Sequence, residues 1–257
     1  MLEDAFIGAA IAFCFAAACT PVGVSGAVFL VPVQVSVLET PSPSLTPTNL
    51  LYNLIAIPGA LWRFHRAGTL RSRLAGLLVL GTLPGVIAGA VIRVELLSGP
   101  EAFYFVIAGL LVPLGAWLTF GSTPAEGARA RLGERPLLIL ALLVGVIGGI
   151  YGIGGGSILA PVLVGFGFAV AEVAPAALAA TFLTSIAGVM TYALLSIGEG
   201  GEIAPDWIVG ISLGIGGLFG SFAGATLQER VSEGPLRRVL GGLALVLGAR
   251  YALLGVT

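Results

Sequence analysis

A cluster of glycines and a serine sits in the middle of a long stretch that carries no charge. Tyr151 to Pro161 reads Tyr-Gly-Ile-Gly-Gly-Gly-Ser-Ile-Leu-Ala-Pro, and no charged residue occurs between Pro136 and Ala171. Successive glycines let neighbouring main-chain N–H groups converge into a nest, and a helix that starts there points the positive end of its dipole at an anion. The chemistry on offer is the holding of chloride, an oxyanion or a carboxylate. Gly154, Gly155, Gly156 and Ser157 are its candidate residues. A second reading stays open, in which the glycines serve only close helix packing.

A weaker copy of the motif lies in the first half of the chain. Gly23 to Pro32 aligns with Gly152 to Pro161 at a constant offset of 129 residues, inside the uncharged run Ala5 to Leu38. Thr20, Gly23, Ser25 and Gly26 join the candidate set. Asn49 and Asn53 then share one helical face, and at an offset of 132 they align with Thr181 and Ser185, while Tyr52 aligns with Thr184. Polar residues on apolar helices face the protein interior or a wet cavity, because lipid would leave them unsatisfied. They are either polar contacts between helices or a stripe facing a substrate.

The remaining reactive groups offer less. Glu39 and Glu172 each follow an uncharged run and precede a helix, which fits a helix N-terminus or a proton-coupling carboxylate. Arg250 is read as reaching the outer surface from the last helix or as attracting anions there. His65, the only histidine, is read as a solvated loop residue, and Cys14 and Cys19 as small thiols buried in the first apolar run. One histidine and two such cysteines make no metal-ligand set, no nucleophile has a plausible base, and no nucleotide-binding motif is present. No cofactor, metal, catalytic residue or enzymatic activity is expected.

The elements that position these residues follow from the bilayer. An unbroken helix from Pro136 to Ala171 would be about 54 Å long at roughly 1.5 Å per residue, against a hydrocarbon core of about 30 Å. Each uncharged run is therefore read as a hairpin whose limbs enter and leave on one side, with the glycine tip at mid-depth. Bare backbone there must line a cavity or be buried in protein. The 257 residues are 57% hydrophobic and 10% charged, with a mean hydropathy of +1.06, which places the chain in the membrane. A net charge of −1 and the lack of a basic tract give no reason to expect a nucleic-acid partner. The acidic start, Met1 to Asp4, lacks the basic region of a cleavable signal, so the first hydrophobic run is expected to be retained.

Charge sets the orientation. All twelve cations are arginine, and Arg63, Arg66, Arg71 and Arg73 place the loop after Thr40–Trp62 on the cytoplasmic side. Leu74–Ile92 then runs outward and Ala102–Phe120 returns to a linker with Arg129, Arg131 and Arg135. Val173–Ile197 crosses to a loop holding Glu199, Glu202 and Asp206, Trp207–Leu227 returns, and Val239–Leu254 leaves again. Both termini are expected outside. Gly81, Gly85 and Gly89 match Gly216, Gly220 and Gly224 at an offset of 135, and Leu114-Gly115-Ala116 matches Leu247-Gly248-Ala249 at 133. Equivalent loops fall on opposite sides. The expected fold is an all-α integral membrane protein with two inverted-topology repeats, residues 1–120 and 136–257 around a cytoplasmic linker at 121–135. Each repeat has a hairpin of short or broken helices plus three transmembrane helices, and in such folds substrates bind at the midplane between repeats.

The Gly-Ile-Gly-Gly-Gly-Ser-Ile-Leu-Ala-Pro signature, its copy at Gly23 to Pro32, the helix at Asn49 and the Gly81/Gly85/Gly89 ladder together resemble the sulfite exporter TauE/SafE family, also called the toluene sulfonate uptake permeases. The first copy departs from the pattern with Ser25 and Ala27 where glycine is usual. The resemblance implies a multi-pass transporter of sulfite, sulfoacetate or a related organosulfur anion in a bacterial inner membrane. The reading of the residues adds a secondary, alternating-access mechanism, with the anion held between the tips. A homodimer is compatible with it. Two other readings stay open: a non-transporting assembly subunit whose glycines serve packing, and a passive anion channel.

Overall fold

The computed structural model describes residues 2–38, 40–70, 72–97, 100–121, 132–198, 203–228 and 233–254. Glu39, Arg71, Arg129, Arg131, Glu199 and Glu202 lie outside the described residues. Among the described residues there are helices and no strands. The first half runs α1 (Leu2–Cys19), a 3₁₀ turn (Thr20–Val22), α2 (Ala27–Ser36), α3 (Ser42–Arg66), α4 (Arg73–Glu95) and α5 (Pro100–Phe120). The second runs α6 (Glu134–Tyr151), α7 (Gly156–Gly165), α8 (Val170–Gly198), α9 (Trp207–Leu227) and α10 (Glu233–Leu254). Five helices, carrying Ala5–Val22, Arg73–Glu95, Glu134–Tyr151, Val170–Ile197 and Trp207–Leu227, are long and apolar enough to cross a membrane.

Both uncharged runs fold as hairpins, and both break at the same place. Gly23 and Gly152 adopt φ of 78° and 81°, a left-handed conformation that glycine reaches without a Cβ penalty. The residue after each bonds back five positions, Val24 N–H to the Cys19 carbonyl at 3.2 Å and Ile153 N–H to the Gly148 carbonyl at 3.0 Å. This is the 6→1 bond of a Schellman stop, made twice at an offset of 129. The limbs are unequal. α1 and α6 have 18 residues, about 27 Å, whereas α2 and α7 have 10, about 15 Å or half a hydrocarbon core.

The principal helix pairings are unchanged when each element of one half is exchanged for its counterpart. α4 packs on α6 as α9 packs on α1, α3 on α9 as α8 on α4, and α5 on α10. The glycines set these approaches residue by residue. A Cβ at Gly85 would overlap the carbonyl of Leu142, and one at Gly220 the carbonyl of Phe13; Gly89 meets Val146 and Gly224 meets Ala17 in the same way. Gly115 is filled by Ala244 and Leu245, and Gly248 by Leu111 and Val112. The ladders are close-packed seams. The side chains left outside, among them Leu80, Leu143, Leu194, Phe219 and Val246, are exposed and large, as a lipid-facing surface requires. Cys14 belongs to that exposed face of α1, contrary to its expected burial, while Cys19 is buried.

The central helix is α3. It has 25 residues, yet it is absent from the five apolar spans because Thr46, Thr48, Asn49 and Asn53 interrupt it. All four are buried. α8 lies antiparallel beside it: Leu50 near the start of α3 meets Gly188 late in α8, and Ile57 and Phe64 cluster with Leu178 and Ala174 early in α8. The structure corrects the register expected between these two helices. Gly23 packs on Ala174 and Gly152 on Thr46, so α3 and α8 correspond at an offset of 128, one helical turn from the alignment of Asn49 with Thr181. A shift of four residues keeps the helical face, which is why side-chain type alone does not detect it.

Candidate anion site at the hairpin tips

The two tips touch. The main-chain N–H of Ser25 donates to Ser157 Oγ at 3.1 Å. Ser25 Oγ donates to Asn53 Oδ1 at 2.6 Å, and Ser157 Oγ lies 3.2 Å from Thr181 Oγ1 with either hydroxyl able to donate. The polar chain Asn53–Ser25–Ser157–Thr181 therefore runs from α3 through both tips to α8. At the corrected register Asn53 and Thr181 are equivalent, each bonded to the serine of its own half. All four residues are buried.

A second chain supports the first. Asn49 Nδ2 donates to the Ala27 carbonyl at 3.1 Å, and Asn49 Oδ1 accepts from Gln34 Nε2 at 3.2 Å. Gln34 was not among the residues expected at the site. Its signal was a lone amide in the apolar run Ala27 to Leu38, fully buried in the short helix α2. Three buried polar atoms near these chains have no protein partner: Asn53 Nδ2, Gln34 Oε1 and Ser185 Oγ. Leaving such an atom unsatisfied costs about 1–3 kcal/mol, so a water would be favoured at each, and a ligand oxygen at the two that can donate, Asn53 Nδ2 and Ser185 Oγ.

The glycines bring the backbone close. A Cβ at Gly156 would overlap the Ala177 carbonyl, one at Gly155 would stand 2.6 Å from the Thr82 methyl, and one at Gly154 would stand 3.0 Å from Thr181 and Thr184. Close packing and a polar tip thus coexist in the same residues. The two tips differ in how their helix starts are used. In α2, Ala27 N–H is held by Ser25 Oγ at 3.2 Å, and Phe29 and Leu30 N–H by the Gly26 carbonyl at 3.0 and 3.2 Å. α7 follows Gly155, where no side-chain cap is formed, and its Leu159 N–H is held by the Gly155 carbonyl at 3.3 Å.

Thr20, Ser25, Gly26 and Tyr52 line a small cavity, with Leu178 and Ser221, beside the polar chain. Neither Thr184, which borders the turn at Gly154, nor Glu172 lines that cavity. Thr184 Oγ1 donates to Ala180 and Thr181 carbonyls in its own helix, at 2.8 and 3.2 Å. Glu172 is exposed in the first turn of α8, where a carboxylate complements the helix dipole. His65 and Arg250 are exposed. Among the described residues no charged side chain contributes to the polar chains, so recognition here would rest on hydroxyls, amides and helix dipoles.

An apolar cluster lies towards each end of α3. Towards the arginine-bearing end of α3 it holds Phe64, Leu178 and Ala225, with Ile57, Ala60 and Ala174. Towards the other end it holds Tyr192, Leu50 and Ala90, with Ile203. Phe64 and Tyr192 correspond at the offset of 128, as do Leu50 and Leu178, and Ala90 and Ala225 correspond at 135. Tyr192 is further fixed by its hydroxyl, which donates to the Gly149 carbonyl at 3.1 Å.

The model of one protein family, described as Sulfite exporter TauE/SafE, matches residues 6–251, nearly the whole chain. No curated protein matches it. Members of that family are membrane transporters rather than enzymes, and their described cargo, sulfite, is a small anion.

Proposed function

Because the chain belongs to the sulfite exporter TauE/SafE family, we propose that it is a secondary transporter, working as an exporter, that carries a small sulfur oxyanion or organosulfonate by alternating access. The anion is held at mid-depth between the tips. The observation that carries this reading is the buried chain Asn53–Ser25–Ser157–Thr181, which joins both tips while Asn53 Nδ2 keeps a donor unspent. Backbone N–H groups at the start of α7 and the amides of Asn49, Asn53 and Gln34 supply the remaining donors, with Thr181 and Ser185 as hydroxyl donors.

Alternating access needs two closures that open in turn. The equivalent clusters around Phe64 and Tyr192 have the composition and placement for it. The symmetric pairing of helices and the antiparallel run of α3 against α8 support inverted repeats over residues 1–120 and 136–257. Direction would follow existing gradients, with Glu39 and Glu172 the carboxylates through which protons would couple. A bacterial inner membrane, with both termini outside, is the setting this reading supplies.

The test is flux. Purified protein in liposomes should take up sulfite or sulfoacetate with a saturable rate, and preloading with the same anion should accelerate uptake. A rate linear in concentration would indicate a channel instead. No flux with any sulfur anion would favour the assembly subunit.

A further inference from the structure

A cleft of about 590 Å³ opens at the arginine-rich ends of the helices, lined by Arg63, Phe64, Thr69, Val170, Ala225 and Gln228. Phe64 and Ala225 face the cleft, Ile57, Ala60 and Leu178 line the small cavity beside Ser25, and all five belong to one buried apolar cluster. The cleft and the tip are also tied directly, since Gln228 Nε2 donates to the Pro21 carbonyl at 2.9 Å.

Arg63 differs from its neighbours Arg66 and Arg73 in its surroundings and lines the cleft. Arg66 lies over the Trp62 ring with 5.0 Å to its centroid, and Arg73 pairs with Glu134. Among the described residues Arg63 has neither a carboxylate nor a ring, is half-buried, and no acidic residue lines the cleft. Thr69 Oγ1 is engaged by the Phe64 carbonyl at 3.3 Å, which leaves two donors, the Arg63 guanidinium and the second hydrogen of Gln228 Nε2. A planar fork of N–H groups beside a carboxamide suits a small oxyanion or a sulfonate.

We propose that this cleft is an anion-binding antechamber in which Arg63 and Gln228 hold a small oxyanion or sulfonate on the arginine-rich side, one apolar layer away from the tip site. The inference rests on the transport reading for its purpose but not for its test. In a chain whose Cys14 and Cys19 are changed to alanine, Thr69→Cys reports on the cleft through its rate of labelling. A methanethiosulfonate bearing a sulfonate should react faster relative to one bearing a trimethylammonium group, and Arg63→Gln should lower that ratio about tenfold, with Arg63→Lys restoring part of it.

Raising the salt concentration should shrink the difference between the two proteins. Sulfite should slow labelling in the parent and much less in Arg63→Gln. In liposomes, Arg63→Gln should raise the sulfite KM from the arginine-rich side alone and leave the maximal rate in place. A ratio unchanged by Arg63→Gln, with no slowing by sulfite, would overturn the antechamber even in a protein that transports. An intact charge preference in a protein that carries no sulfur anion would retain the antechamber and reject the transport reading.

Discussion

Ser25 and Ser157 stand 132 residues apart in the chain, and the N–H of one donates to the hydroxyl of the other at 3.1 Å. This bond, with that of the Tyr151 hydroxyl to the Val28 carbonyl at 3.0 Å, ties the two hairpins together inside an uncharged interior. Ser157→Ala removes the acceptor and strands a buried N–H, a loss of about 1–3 kcal/mol. Thermal unfolding of the purified variant should show it, and Ser157→Thr, which keeps the hydroxyl, should recover part. A double-mutant cycle with Thr181→Val should give non-additive losses, because Ser157 and Thr181 share a hydrogen bond.

Asn53 and Gln34 separate substrate binding from tip architecture. Asn53→Ala removes both the acceptor for Ser25 Oγ and the unspent Nδ2 donor, and should weaken anion binding by tenfold or more, about 1.4 kcal/mol. Gln34→Leu leaves Asn53 in place but frees Asn49 Oδ1, and should weaken binding less. Titration calorimetry with sulfite orders the two. Equal losses would indicate that Asn53 contributes only structure.

The glycine seams predict a paired outcome. Gly85→Ala and Gly220→Ala should each lower the yield of folded protein, since their Cβ atoms would meet the Leu142 and Phe13 carbonyls and neither backbone can retreat. Gly109→Ala, with open space around it, should be silent. Fluorescence-detected size exclusion of the three variants reads this directly.

The apolar closures predict opposite accessibilities. Phe64→Ala should speed labelling of a cysteine placed at Ala56 by reagents added on the arginine-rich side. Tyr192→Ala, which also removes the bond to Gly149, should do so for reagents added on the other side. Variants that open both sides together would contradict two separate closures.

Much of this architecture was legible in the residues because the signals were categorical. A long uncharged run interrupted by Gly152 to Ser157 has few solutions in a bilayer, and the matching break at Gly23 adopts the same left-handed stop. Arg and Asp/Glu segregation required α3 and α8 to run in opposite directions, and they pack antiparallel. The register of those two helices was not legible, since Asn49, Asn53, Thr181 and Ser185 keep the same face after a shift of one turn. Gln34 was missed because its apolar neighbours mark a core helix, and only its contact with Asn49 reveals it. The exposure of Cys14 depends on which face of α1 meets lipid, which a uniformly apolar helix does not encode.

The most direct test of an anion site at the tips is ligand-dependent stabilisation of the detergent-purified protein by sulfite, thiosulfate, sulfoacetate, taurine and chloride. The account predicts a selective rise with a sulfur anion, roughly 2.7 kcal/mol at about a hundred times its dissociation constant, that Asn53→Ala and Ser157→Ala abolish and Arg63→Gln does not. A rise of the same size in Asn53→Ala and Ser157→Ala would contradict it.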